Sequence, residues 1–172
     1  MKIAAGLLAG IVLVAASVSP RVTRSNLVTL EKLTDSKVAQ LETTNPPDVL
    51  GYTRGVYLEG FGAVFSTEVD LSPYAAPNPF HPAHSKADIE KLRIQKQSRI
   101  ETLKKRMTES LIVMARSLEG VPATEQIAFA VTIPYGAWEN SAGMPRQILI
   151  QAPKSALLNP TGLEGVLKVQ EF

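Results

Sequence analysis

Phe61-Gly62-Ala63-Val64-Phe65-Ser66-Thr67-Glu68-Val69-Asp70-Leu71 is the stretch that decides the fold. Its odd-numbered positions are mostly apolar, and its even-numbered positions carry most of the polar residues. Successive side chains of a β-strand point to opposite faces, so this period of two predicts a strand that rests one face on a core. Residues 52–58 form a second β-prone run, and Glu59-Gly60 between the runs would close a hairpin. Gly60-Phe61-Gly62 is also compatible with a bend or bulge in one long strand.

Residues 85–118 predict one long helix. Ser85 offers an N-cap, with Asp88 three residues on in an acidic variant of the capping box. An apolar stripe at helical spacing follows: Ile100, Leu103, Met107, Leu111, Met114 and Leu118. The half before Ile100 is more polar. Since such a helix would be ~50 Å long at ~1.5 Å per residue, we expect this polar half to project beyond the sheet into solvent.

The rest of the chain predicts more strands and two long loops. Residues 127–133, 147–152 and 165–172 predict strands, and residues 154–159 a short helical turn. Loops cover residues 72–84, which hold four prolines, and residues 135–145. We therefore predict an α+β fold: an antiparallel or mixed sheet of about five strands, with one long α-helix packed on one face, in the order β-β-α-β-β-(short α)-β.

The N-terminus predicts export. Lys2 precedes an uncharged apolar stretch, and Ala15-Ala16-Ser17 supplies small residues for cleavage, so residues 1–19 have the layout of a secretory signal peptide or of an uncleaved anchor. Residues 20–48 predict either a helical arm or a flexible tether, and residues 49–172 a single α+β domain. The chain has no cysteine, so it has no disulfide framework and no thiol chemistry. The expected location is extracytoplasmic: periplasmic, secreted or tethered to the membrane.

The clearest charge feature is a basic segment in the long helix. Residues 86–106 hold eight Lys and Arg against Asp88, Glu90 and Glu101, a formal charge of +5. Such a segment is either a solvated helix face or a surface for an anionic partner. We take Lys91, Arg93, Lys96 and Arg99 as its candidate binding residues.

The loop after the third predicted strand is the second candidate region. It holds Tyr135 and Trp138, which is the only tryptophan of the chain, and Arg146 follows it. An aromatic side chain among hydrogen-bonding groups on a long loop is typical of recognition, but Trp138 could instead cap the core.

The sequence specifies no reaction. His81 and His84 are two histidines of one loop, too few for a zinc site, and no motif of a serine, cysteine or metallo-hydrolase is present. Glu68 and Asp70 are predicted to lie on the solvated face of their strand. The glycines at 51–62 lie in a β region and not before a helix, so they predict no phosphate loop. We expect no catalytic residue, metal or cofactor.

These patterns favour a non-enzymatic binding or structural module at the cell envelope. Its partner would be an anionic envelope component or another protein. We do not expect nucleic acid, because aromatic residues are missing from the basic segment. Membrane contact would occur only through an uncleaved N-terminal segment. The alternative is a hydrolase with a site near residues 72–84 and 135–146. A purely structural role, with assembly through the apolar side of the long helix, is also open.

Overall fold

A hairpin begins the sheet of this protein, whose computed structural model describes residues 22–42, 46–73, 76–80, 83–159 and 161–172. Strand β1 is Asp48–Leu58 and strand β2 is Gly62–Asp70, and the two pair antiparallel. Gly60 has a φ of 80° in the turn, and Gly62 has a φ of 130°. A Cβ on Gly62 would lie 1.9 Å from the carbonyl oxygen of Gln126, so only glycine fits there. The predicted signal segment 1–19 lies outside the described residues.

The elements follow the predicted order, with one helix before them. They are α1 (Arg24–Ala39), β1, β2, α2 (Lys86–Ser117), β3 (Gln126–Thr132), β4 (Gln147–Pro153), α3 (Lys154–Leu158), a 3₁₀ turn (Leu163–Gly165) and β5 (Lys168–Glu171). The predicted α+β class is confirmed. The last strand is shorter than residues 165–172, because the 3₁₀ turn takes up its beginning.

The five strands form one mixed sheet in the order β1-β2-β3-β4-β5. Only β2 and β3 run parallel, because α2 returns the chain between them, and every other neighbouring pair is antiparallel. The carboxyl ends of β2 and β3 therefore meet at one edge of the sheet. The polar site described below lies at that edge.

Helices pack on one face of this sheet. The odd-numbered side chains of β2 and β3, such as Phe65 and Phe129, are fully buried against the apolar stripe of α2. That stripe matches the predicted one, and Leu103, Met107 and Leu111 have no exposed surface. The apolar side of α2 is thus buried in the core of its own chain. Because this side is covered, it is not free to contact a second copy in this structure.

Both ends of α2 are capped by named side chains. Ser85 and Asp88 form the predicted capping box: the Ser85 hydroxyl accepts the Asp88 N–H at 3.2 Å, and the Asp88 carboxylate accepts the Ser85 N–H at 3.2 Å. Hydrogen bonds from Ser85 hold the pKa of Asp88 below its usual value. At the other end, the buried Lys154 ammonium donates to the carbonyls of Leu118 at 2.6 Å and Val121 at 2.7 Å. Burial lowers the pKa of this lysine.

Helix α1 closes the open edge of β1. The Asp35 carboxylate accepts the backbone N–H of Thr53 at 2.8 Å and its hydroxyl at 2.6 Å. The Glu31 carboxylate accepts the N–H of Gly55 at 2.7 Å, and Arg24 donates to the Gly55 carbonyl at 3.0 Å. These side chains satisfy backbone groups that a sixth strand would otherwise pair. Within the described part of residues 20–48 the helix α1 is present, and its Leu27, Leu30 and Val38 join the core.

The expectation that the first half of α2 projects beyond the sheet is wrong. This half does not project into solvent: Leu92, Lys96 and Arg99 are buried there. It packs under the loops that follow β2 and β3. A local helical pattern in the sequence does not show this packing.

Among the described residues, no helix is both long enough and apolar enough to span a membrane.

Candidate functional site

A buried lysine lies at the centre of the polar site. Lys96 is 1% exposed, and its ammonium donates to the Glu139 carboxylate at 2.8 Å and to the Pro134 carbonyl at 3.0 Å. The Asp70 carboxylate lies 3.6 Å away, and the centroid of the Tyr135 ring 4.2 Å away. A lysine is buried at this depth only when acceptors replace its water, and here two carboxylates, a carbonyl and an aromatic face do so.

The topology brings these groups together. Asp70 is the last residue of β2, and Pro134 follows closely after β3. Because the two strands are parallel, both positions lie at the same edge of the sheet. Helix α2 begins near that edge and leads back to the beginning of β3. Its first half therefore passes beneath the loop 135–146, which follows β3. Lys96 is the residue of this half that reaches both strand ends.

Hydrogen bonds within the loop and from α2 hold the loop 135–146 in place. The second oxygen of Glu139 accepts the Gly136 N–H at 3.0 Å, and the Tyr135 hydroxyl donates to the Pro145 carbonyl at 2.9 Å. Arg93 of α2 donates to the Ala142 carbonyl at 3.4 Å. One carboxylate thus joins the loop backbone to the buried lysine. The loop is therefore ordered before any ligand arrives.

Tyr135 is an acid that stays neutral over the ordinary pH range. Burial, together with the negative charge of Glu139, raises the pKa of Tyr135 to about 12, although the nearby Arg146 opposes the shift. The Arg146 guanidinium lies 5.5 Å from the centroid of the same ring. Tyr135 thus offers its aromatic ring to two cations, and its hydroxyl does not ionise near neutral pH.

Trp138 packs against the surface side of the loop and not into the core. Its ring centroid lies 4.6 Å from that of His84, with an angle of 35° between the two ring planes. A Cβ on Gly136 would lie 2.5 Å from the Trp138 indole nitrogen, so glycine is needed beneath this ring. The hydrophobic core of the described residues does not include Trp138, which is half-buried. Trp138 therefore does not cap the hydrophobic core.

The predicted site residues divide into three groups. Arg93, Lys96, Tyr135, Trp138 and Arg146 lie on or contact the same loop. Lys91 is exposed on α2, one turn before Gln95. Arg99 does not belong to this surface: it donates to the Leu71 carbonyl at 3.0 Å and pairs with Glu42.

The basic segment is far less positive than its sequence indicates. Carboxylates within 4 Å pair with five of its eight cations: Arg93, Lys96, Arg99, Lys104 and Arg106. Several of those carboxylates come from other parts of the chain, so counting charges along the segment overstated its field. For Lys96 and Arg99 the expectation of solvent-exposed charge is wrong, since both are buried.

The sequence missed or misjudged three positions of the candidate site. No sequence pattern indicates that Glu139 bonds both Lys96 and the loop backbone. Asp70 was expected to be solvated, but its side chain is 34% exposed and lies next to Lys96. His84 was expected to be a free loop histidine, but it packs on Trp138. His81 lies outside the described residues. Within the described ranges, no group of three or more His, Cys, Asp or Glu side chains could hold a metal ion.

Comparisons with protein-family models, with curated proteins and with solved structures find no match for this chain.

Proposed function

We propose that this protein is an exported, non-enzymatic binding module that holds an anionic glycan of the cell envelope. The observation that carries the proposal is the convergence of the two candidate regions. The first half of α2 and the loop 135–146 form one surface, joined by Lys96 below and Arg93 at the side. The N-terminal apolar segment in the sequence supports the location.

The exposed groups of this surface fit an acidic sugar. The half-buried Trp138 offers an aromatic face to the apolar side of a sugar ring. Arg146 is exposed and offers a planar guanidinium, the group that best matches a carboxylate. Lys91 adds a positive charge on the adjoining helix. The Lys96 ammonium, by contrast, is used to hold the loop, so it supports the surface without contacting the ligand.

The single tryptophan supplies the experiment. Because Trp138 is the only tryptophan of the chain, its emission reports on this surface alone. Titration with an oligogalacturonate should give a saturable change, weaker at higher salt. Arg146→Gln should weaken the affinity about tenfold, the effect of losing ~1.4 kcal/mol. Arg106→Gln, exposed farther along α2 and paired with Glu109, is the matched control and should bind like the parent. Absence of saturable binding, or equal binding by Arg146→Gln, would contradict the proposal.

A hydrolase is the second candidate, and one observation favours it. Asp70, Glu139 and Lys96 lie together at the carboxyl ends of two parallel strands, where ligands of open α/β sheets often bind. Of the two carboxylates, Asp70 is the accessible one, so it would be the acid or base. Release of reducing ends from the same oligogalacturonate, lost in Asp70→Asn, would support cleavage over binding.

A further inference from the structure

A second candidate site lies between α1 and the edge of β1. A groove of about 420 Å³ runs along the contact between the two elements, and it shares no residue with the surface around Trp138. This volume falls within the ~300–1,000 Å³ of typical small-molecule sites.

The acidic groups of the groove are already used. Asp35 accepts two hydrogen bonds from Thr53, and Glu31 is buried, accepting from Gly55 and pairing with Arg24 at 2.7 Å. These carboxylates hold α1 against β1, so they offer little to a ligand.

Two of the three cations of the groove remain available, since the third, Arg24, pairs with Glu31. Lys32 and Arg54 both line it and are exposed, and within the described residues neither side chain forms an ion pair or a hydrogen bond. Tyr52 lies in the same lining and is 74% exposed, so its ring is accessible to a ligand. Val28 of α1 adds an apolar side chain beside it.

We propose that this groove binds a small aryl phosphate, with the phosphate between Lys32 and Arg54 and the ring against Tyr52 and Val28. Two unpaired cations match the two negative charges of a phosphate monoester, whereas a carboxylate would neutralise only one. Tyr52 and Val28 would contact the aromatic ring of the phosphate ester. The inference does not depend on the glycan-binding proposal, because the two sites have separate residues.

Calorimetric titration of the full chain with phenyl phosphate tests this inference. Saturable binding is expected, with Arg54→Gln and Lys32→Gln each weakening it about tenfold and Tyr52→Ala about threefold. These side chains are exposed, so the variants should fold. Lys105→Gln, an exposed lysine of α2 outside the groove, is the control and should bind like the parent. Inorganic phosphate should bind more weakly than phenyl phosphate, because it lacks the ring.

The outcomes that overturn the inference are distinct from those that test the glycan. Absence of saturable binding by phenyl phosphate, or undiminished binding by Arg54→Gln, would refute the site. Equal binding of benzoate would refute the charge match with a dianion. None of these results bears on the emission of Trp138.

Discussion

At the scale of single residues, the chemistry of the candidate site depends on how buried groups are satisfied. Lys96 donates a charge-assisted hydrogen bond to Glu139, both side chains are buried, and removal of Lys96 would leave the Glu139 carboxylate without its cation. Exposed pairs such as Arg106–Glu109 contribute far less, because water screens them. Two basic residues of one helix, Lys96 and Arg106, thus contribute very differently to stability.

Tyr135 should titrate later than an ordinary tyrosine. Its pKa is about 12 in the folded chain and 10.0 in the unfolded chain. Between those values the unfolded chain loses this proton first, so the contribution of Tyr135 to stability falls as pH rises from 10 to 12. An absorbance titration of the phenolate should show a late component near pH 12, and Tyr135→Phe should remove it. A late component that persists in Tyr135→Phe would contradict the assignment.

At the scale of elements, the two edges of the sheet are protected in different ways. β1 is eleven residues long, and side chains of α1 bond its outer backbone groups. β5 has four residues, with Lys168 and Glu171 among them. Short, charged strands make poor templates for a further strand, so β5 needs no cover.

Loss of the α1 cap should destabilise β1. Asp35→Leu leaves the N–H and hydroxyl of Thr53 without their acceptor, which should cost about 1–3 kcal/mol because Thr53 is fully buried. Asp35→Asn keeps an acceptor oxygen and should cost less. Urea unfolding measures both variants, and light scattering would show strand-edge association of the leucine variant. Equal midpoints for the leucine and asparagine variants would mean that the carboxylate does not cap the strand.

At the scale of the whole molecule, the sequence patterns predicted those elements that depend on residues close together in the chain. The alternation at 61–71, the capping box at Ser85 and the stripe that includes Leu111 all depend on neighbours in the sequence, and all three are confirmed. The sheet with one long helix on one face followed from their order.

The site was predicted only in its parts. Lys96 and Glu139 lie 43 positions apart, and no periodicity connects them. Counting charge along residues 86–106 assumed an exposed segment, whereas carboxylates such as Glu42 and Glu171 come from distant elements to neutralise it. The parallel pairing of β2 and β3 brings Asp70 to Lys96, and that pairing is decided by tertiary packing.

Exchange of the loop amides tests the central claim, that Lys96 orders the loop 135–146 for binding. In the parent, the Gly136 amide should exchange slowly, because it donates to the carboxylate that Lys96 holds. In Lys96→Met, hydrogen exchange followed by NMR should be about tenfold faster or more at Gly136, whereas amides in the centre of β3 should keep their protection. Arg106→Gln should change neither. Unchanged exchange at Gly136 in Lys96→Met would show that the loop is ordered without the lysine and would contradict the account.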